Sequence, residues 1–206
     1  MPAELAADQG STIRTFILEM TKITGFKLDE NDLVKKALAE GQRAGKIDLF
    51  LQANANFFNE GVFLGRTYLG KKITLKIENG QFVFGSTADY CVLNTKLQGS
   101  IVIEFLLIAE SREGQESVFK KFCIGYCDIT LTLEPQSVKE FDLFQGTPRN
   151  KLLSAVPRQT GCKVTVTMVM NDTANALNSM TDLVPLNAIF GPTDSIPGLR
   201  DGQMPS

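Results

Sequence analysis

A chain of 206 residues with a net charge of -2, 43% hydrophobic and 21% charged, has room for one substantial domain plus arms. It offers no overall electrostatic pull toward nucleic acid or an anionic membrane. The absence of histidine excludes Ser-His-Asp and Cys-His nucleophiles and histidine-held metals together, and no apolar run reaches the roughly 20 residues of a spanning helix.

In chain order, the opening "MPAELAADQGSTIR" has neither a basic start nor an apolar core. It reads as a flexible arm over residues 1–11 rather than a secretory signal. "TIRTFILEM" (12–20) predicts a strand with apolar side chains on both faces. "LDENDLVKKALAEGQRAG" predicts a short helix over about 29–40, capped by Asp29 or Asn31, with acids in its first turn and Leu33, Ala37 and Leu38 on one face.

Beyond Gly45 the period changes from helical to alternating. "KIDLFLQA" places Ile47, Leu49 and Leu51 on one side, and "KKITLKIENG" alternates Ile73, Leu75 and Ile77 with Lys72, Thr74 and Lys76. Asn79-Gly80 then predicts a tight hairpin into "QFVFG". "SIVIEFLLIAE" (100–110) is apolar on both faces, which places it centrally in a sheet. "SREGQES" reads as a polar loop. In "GYCDITLTLE", Cys127, Ile129, Leu131 and Leu133 point inward, and "CKVTVTMVM" is the last strong strand, with Val164, Val166, Met168 and Met170 on one face.

Residues 171–206 contain Pro185, Pro192, Pro197 and Pro205 around the apolar islands "LVPLNAIF" and "IPGL". Proline keeps such a segment out of sheet ladders, so it reads as an extended arm lying on its own domain or on a partner. The expected architecture is mainly β: an antiparallel two-sheet sandwich of about eight strands over 12–170, with one short helix and an extended C-terminal arm.

Chemistry-bearing patterns are few. Cys91, Cys123, Cys127 and Cys162 lack Cys-x-x-Cys spacing and read as buried reduced thiols in a cytosolic protein. "GRTYLGKK", from Gly65 to Lys72, resembles a phosphate loop, but Lys72 stands where a hydroxyl is needed and "ITLKI" follows where a helix is needed. A glycine-rich hairpin turn is the simpler reading. "DEND" at 29–32 suits a helix start, and no D-x-D spacing for calcium occurs. Lys71-Lys72 and Lys120-Lys121 are isolated pairs without the basic-aromatic clustering of nucleic-acid binders.

Catalytic residues, metal ligands and cofactors are therefore expected to be absent. "ANANFFNEGVFLGRTY" has a loop-like setting in which Phe57, Phe58, Phe63 and Tyr68 either fill core or form an adhesive patch.

Four stretches carry a resemblance. "FDLFQGTPRNKLL" is similar to a segment in the C2-like region of the nephrocystin-4 family of ciliary proteins, where a strand is followed by Gly-Thr-Pro-Arg and paired leucines. "FCIGYCDITL" resembles a Cys-Gly-x-Gly strand before that motif, although Cys123 and Ile124 here precede a single Gly125. "FFNEGVFLGRTY" resembles a Phe-Phe-Gly-Arg-Thr-Trp element, with an insertion and with Tyr68 in place of Trp. "DSIPGL" resembles an Ile-Pro-Gly-Leu that closes the region. They occur in the same order over about residues 46–199.

The resemblance implies a calcium-independent C2-like sandwich acting as a scaffold in cilia or flagella, at the axoneme or the ciliary base. It implies protein partners, tubulin among them. Because nephrocystin-4 is a much larger multidomain protein, its transition-zone partners do not carry over automatically. The candidate partner contacts are Phe57, Phe58, Arg149, Ile196 and Leu199. Gly146 is expected to take a positive φ, with Pro148 fixing the turn behind it, and Arg149 serves either a nearby carbonyl or an acidic partner. A second expectation is a peripheral membrane module docking through Phe57, Phe58, Lys71 and Lys72.

Overall fold

The computed structural model describes residues 13–26, 47–74, 76–78, 81–83, 90–113, 116–149, 158–172 and 186–191, with the single helical positions Asp32, Lys35, Lys36 and Ala39. Those four positions are exposed and fall inside the expected helix. The rest of the described chain is overwhelmingly β. Its strands are β1 (Arg14–Thr24), β2 (Ile47–Asn59), β3 (Val62–Leu69), β4 (Ile73–Thr74), β5 (Lys76–Glu78) and β6 (Gln81–Val83). They continue with β7 (Tyr90–Thr95), β8 (Ser100–Glu113), β9 (Glu116–Thr130), β10 (Gln136–Phe144), β11 (Arg158–Asp172) and β12 (Ile189–Phe190).

Where the sequence predicts about eight strands, twelve belong to one antiparallel sheet, nearly closed into a barrel. Hydrogen-bonded neighbours follow the order β12-β7-β1-β11-β10-β9-β8-β2-β3, with β4 beside β2 and the β5-β6 hairpin beside β1. The path has one weak link. β8 and β9 pair from Ser100↔Thr130 to Glu113↔Glu116, and β10 pairs with β11 along most of its length. β9 and β10 meet only at Tyr126↔Phe144. Among the described residues the sheet is thus two well-laddered runs, β12-β7-β1-β11-β10 and β9-β8-β2-β3, whose strands pair with each other at a single residue pair.

The two-residue side-chain period explains the core. Leu18 and Met20 of β1, Phe57 of β2, Ile103 and Phe105 of β8, and Val166 of β11 are all buried in one cluster that draws on both runs. Full burial of each such side chain stabilises the fold by about 1.5–3 kcal/mol. β8, apolar on both faces, lies between β2 and β9 as its sequence predicts. A bulge bends this pair: Phe105 faces Gly125 and Leu106 faces Cys123, leaving Ile124 as the extra residue.

Several local expectations are corrected. "SREGQES" is no open loop, since β8 runs to Glu113 and pairs there with Glu116 of β9. "ANANFFNEGVFLGRTY" forms the β2-β3 hairpin. Its turn is made by Glu60 and Gly61 at φ 46° and 83°, the left-handed pair that a two-residue hairpin requires. The glycine-rich "GRTYLGKK" is therefore largely strand β3, not a turn. Leu133 lies past the end of β9 and is 46% exposed instead of pointing inward. "CKVTVTMVM" is the last long strand, and only the two-residue β12 follows it among the described residues, with Ile189 and Phe190 pairing with Leu93 and Val92 of β7. Part of the proline-containing segment is thus a ladder strand, at a place between its prolines.

Candidate functional site

Two seams carry the chemistry of the described surface. At the first seam the sheet almost closes, where β3 meets β12. β2 and β3 pair in one register at Ala55↔Tyr68 and in another at Phe57↔Leu64, so β3 holds extra residues around Arg66 and bows outward. The bow brings Arg66 to β12: its Nε donates to the Ile189 carbonyl at 3.3 Å, and its guanidinium lies 4.6 Å from the Phe190 ring centroid. Cation–π attraction and a charge-assisted hydrogen bond act together here.

Glycine makes the approach possible. A methyl group on Gly65 would overlap the Asn187 carbonyl, and one on Gly191 would overlap the buried Tyr68 ring. The segment before β12 is tied in by polar groups. Asn187, at φ 62°, donates its N–H to the Asn94 carbonyl at 2.7 Å and accepts from Thr95 Oγ1 at 2.6 Å. Thr15 Oγ1 donates to Asn94 Oδ1 at 2.7 Å. Asparagine tolerates the left-handed region better than most residues, which suits it to this position.

The second seam is the sparse contact between β9 and β10. Tyr126 and Phe144 stack with ring centroids 5.4 Å apart, next to the turn that the sequence singles out. Gly146 takes φ 84°, Pro148 is buried and Arg149 is exposed on a short helical turn. The Cys123 thiol donates to the Gly146 carbonyl at 3.0 Å.

Burial, and then the neighbouring Glu104 carboxylate, push the Cys123 thiol from its ordinary 9.0 up to about 12. Burial also raises Cys127 and Cys162. All four cysteines are free. These three shifted thiols stay protonated at neutral pH and are poor nucleophiles there.

The remaining sequence candidates divide by position. Phe57 is wholly buried, so no contact surface runs through its side chain. Its neighbour Phe58 is half-buried and meets Phe63 edge-on at 5.0 Å. Lys72 pairs with Glu110 and sits 4.4 Å from the Phe50 ring centroid, while Lys71 is exposed. Ile196 and Leu199 lie outside the described residues. Among the described residues, no group of three or more Cys, Asp or Glu side chains is placed to hold a metal ion.

Sequence reasoning missed Arg66, Tyr68 and Gly191 as a closing set. The usable signal was "GRTYLGKK" read as a strand with an internal glycine, which marks a bulge or a close backbone approach. No protein-family model matches the chain, and no curated protein matches it.

Proposed function

We propose that the protein is a non-enzymatic structural module of cilia or flagella, binding axonemal or ciliary-base proteins through the outside of a C2-like β-fold. The observation that carries this reading is the ordered set of four stretches resembling the nephrocystin-4 family, ending in "FDLFQGTPRNKLL" and "DSIPGL". Two features are in keeping with it. The interior is packed with side chains, which leaves contact to the outer surface. Two laddered runs joined at one residue pair are also the arrangement a two-layer C2-like sandwich would have at one corner. Arg149, exposed behind the Gly146–Pro148 turn, is the residue of that motif best placed to meet an acidic partner such as a tubulin surface.

A tagged copy in a ciliated cell, followed by co-sedimentation with isolated axonemes, tests the reading. Enrichment in the cilium and in the axonemal pellet is expected, with Arg149→Glu reducing the pelleted fraction. Uniform cytosolic staining together with a wholly soluble protein would overturn it.

One observation favours the alternative of a peripheral membrane module: Val62, 55% exposed, caps the β2-β3 hairpin beside the Phe58–Phe63 pair. Lys72, however, is already engaged by Glu110. Flotation with anionic vesicles at low salt separates the two readings; the ciliary one predicts no flotation.

A further inference from the structure

Among the described residues, the side of β10 that faces away from β11 is a strand edge without a ladder over 136–140. Antiparallel ladders alternate, so successive residues turn their backbone N–H and C=O to opposite sides. The Met170 N–H donates to the Pro135 carbonyl at 3.0 Å, so 135 and 170 form a bonded pair. Counting along the register Gln136↔Val169 to Asp142↔Lys163, Ser137, Lys139 and Phe141 turn their backbone groups toward β11. Gln136, Val138 and Glu140 turn theirs away. Phe144 belongs to the same outward set, and it is the residue that pairs with Tyr126. For Gln136, Val138 and Glu140, no strand among the described residues supplies partners on that side, and all three side chains are exposed, Val138 at 64%.

Sheet edges of this kind are usually blunted by charge. Here Glu140 is the one charged residue among Gln136, Val138 and Glu140, and Lys139, whose backbone turns toward β11, is paired with Glu134 at 2.7 Å. The residue at the centre of the open edge is an exposed valine.

We propose that this edge pairs antiparallel with the same edge of a second copy of the chain, about a two-fold axis at Val138. The spacing is self-complementary. With Val138 opposite Val138 of the second copy, Gln136 falls opposite Glu140 and Glu140 opposite Gln136. Every outward N–H then meets an outward C=O, because all three residues have the same backbone orientation. The side chains agree: valine covers valine, and each Glu140 carboxylate meets a Gln136 amide, with no like charges directly opposed. A pairing built on one short edge buries little area, so the association is of the weak, concentration-dependent kind. The inference stands whether or not the protein is ciliary.

Sedimentation velocity over a concentration series of the full chain tests it, with Val138→Pro, Val138→Lys and Leu69→Lys as variants. Proline removes an outward N–H that no intramolecular strand uses, and lysine sets two like charges against each other at the axis. Leu69 is just as exposed, at 65%, but lies on β3. The wild type should approach twice its monomer mass with rising concentration. Both Val138 variants should weaken the dimer at least about tenfold while keeping the wild-type circular dichroism spectrum, and Leu69→Lys should change nothing. As a folding-independent check, Val138→Cys should oxidise to a dimer linked through the two introduced thiols, mapped by peptide mass.

A chain that stays monomeric up to the solubility limit overturns the proposal, and leaves the edge to an extended segment of another protein. A dimer weakened by Leu69→Lys but not by the Val138 variants overturns it as well.

Discussion

The two seams of this nearly closed sheet are held by opposite means. Between β3 and β12, Gly65 lets the backbones approach at Asn187, Gly191 leaves room for the Tyr68 ring, and Arg66 fastens one strand to the other. Between β9 and β10 the backbones meet at one pair, and a stacked Tyr126 and Phe144 mark the point where the two runs diverge. Tight approach makes the first seam intolerant of added atoms. Sparse pairing leaves the second to the Tyr126–Phe144 stack and the Cys123–Gly146 hydrogen bond, with a β10 edge that no described strand pairs over 136–140. In a nearly closed sheet, then, the place where bonding is thinnest is also the place where a partner strand can be added.

The tight seam is where one added atom does the most damage. Gly191→Ala forces a methyl into a Tyr68 ring that has nowhere to go, and should cost about 2–4 kcal/mol. In a chain of this size the melting midpoint should drop by roughly 10 °C. A change of only a degree or two would mean the seam is looser than described. At the open seam, Phe144→Ala removes a half-buried ring and its stack on Tyr126, for about 2 kcal/mol in a urea titration. Arg66→Ala gives up an outward-facing hydrogen bond and its place over Phe190, for about 1 kcal/mol.

The smallest effect concerns pH. Because the folded Cys123 thiol titrates near 12 against an ordinary 9.0, its contribution is complete below pH 9. It is lost as pH rises from about 9 toward 12, since the unfolded chain deprotonates first. The urea midpoint should fall over that alkaline range, and Cys123→Ala should flatten part of the fall. Cys127, Cys162 and Tyr126, also raised by burial, act in the same direction.

What could be read from the sequence follows from how strongly each segment's period was stamped. β8 and β11 are long, β-branched and apolar, and their central or one-faced burial was plain. Asn79-Gly80 announced the β5-β6 hairpin, whose Glu78↔Gln81 pairing spans it. β3 was obscured because its bulge at Gly65–Thr67 breaks the alternation and leaves Tyr68 as its one buried residue. The turn before β3 hid behind Glu60, an uncommon residue at positive φ.

β12 is too short to show any period, and proline at 185 and 192 argued against a strand that fits between them. The split into two runs was out of reach for a different reason. Which strands sit side by side depends on ladders between residues far apart in sequence, such as Ile17 with Val92 and Val169, and periodicity in one segment says nothing about its neighbour. Of the proposed contact residues, Phe57 reads the same as Phe58 in sequence. Only the pleat, which turns adjacent side chains to opposite faces, sends one into the core and leaves the other half-buried.

The most direct test is amide hydrogen exchange resolved to single residues, followed as the protein is diluted. At the lowest concentration the account predicts alternation along β10: Ser137, Lys139 and Phe141 protected by β11, Gln136, Val138 and Glu140 exchanging at nearly unprotected rates. Protection of the second set should return as the concentration rises. Equal protection from 136 to 141 at every dilution would mean that β9 and β10 form an unbroken ladder within one chain, and that the open seam does not exist.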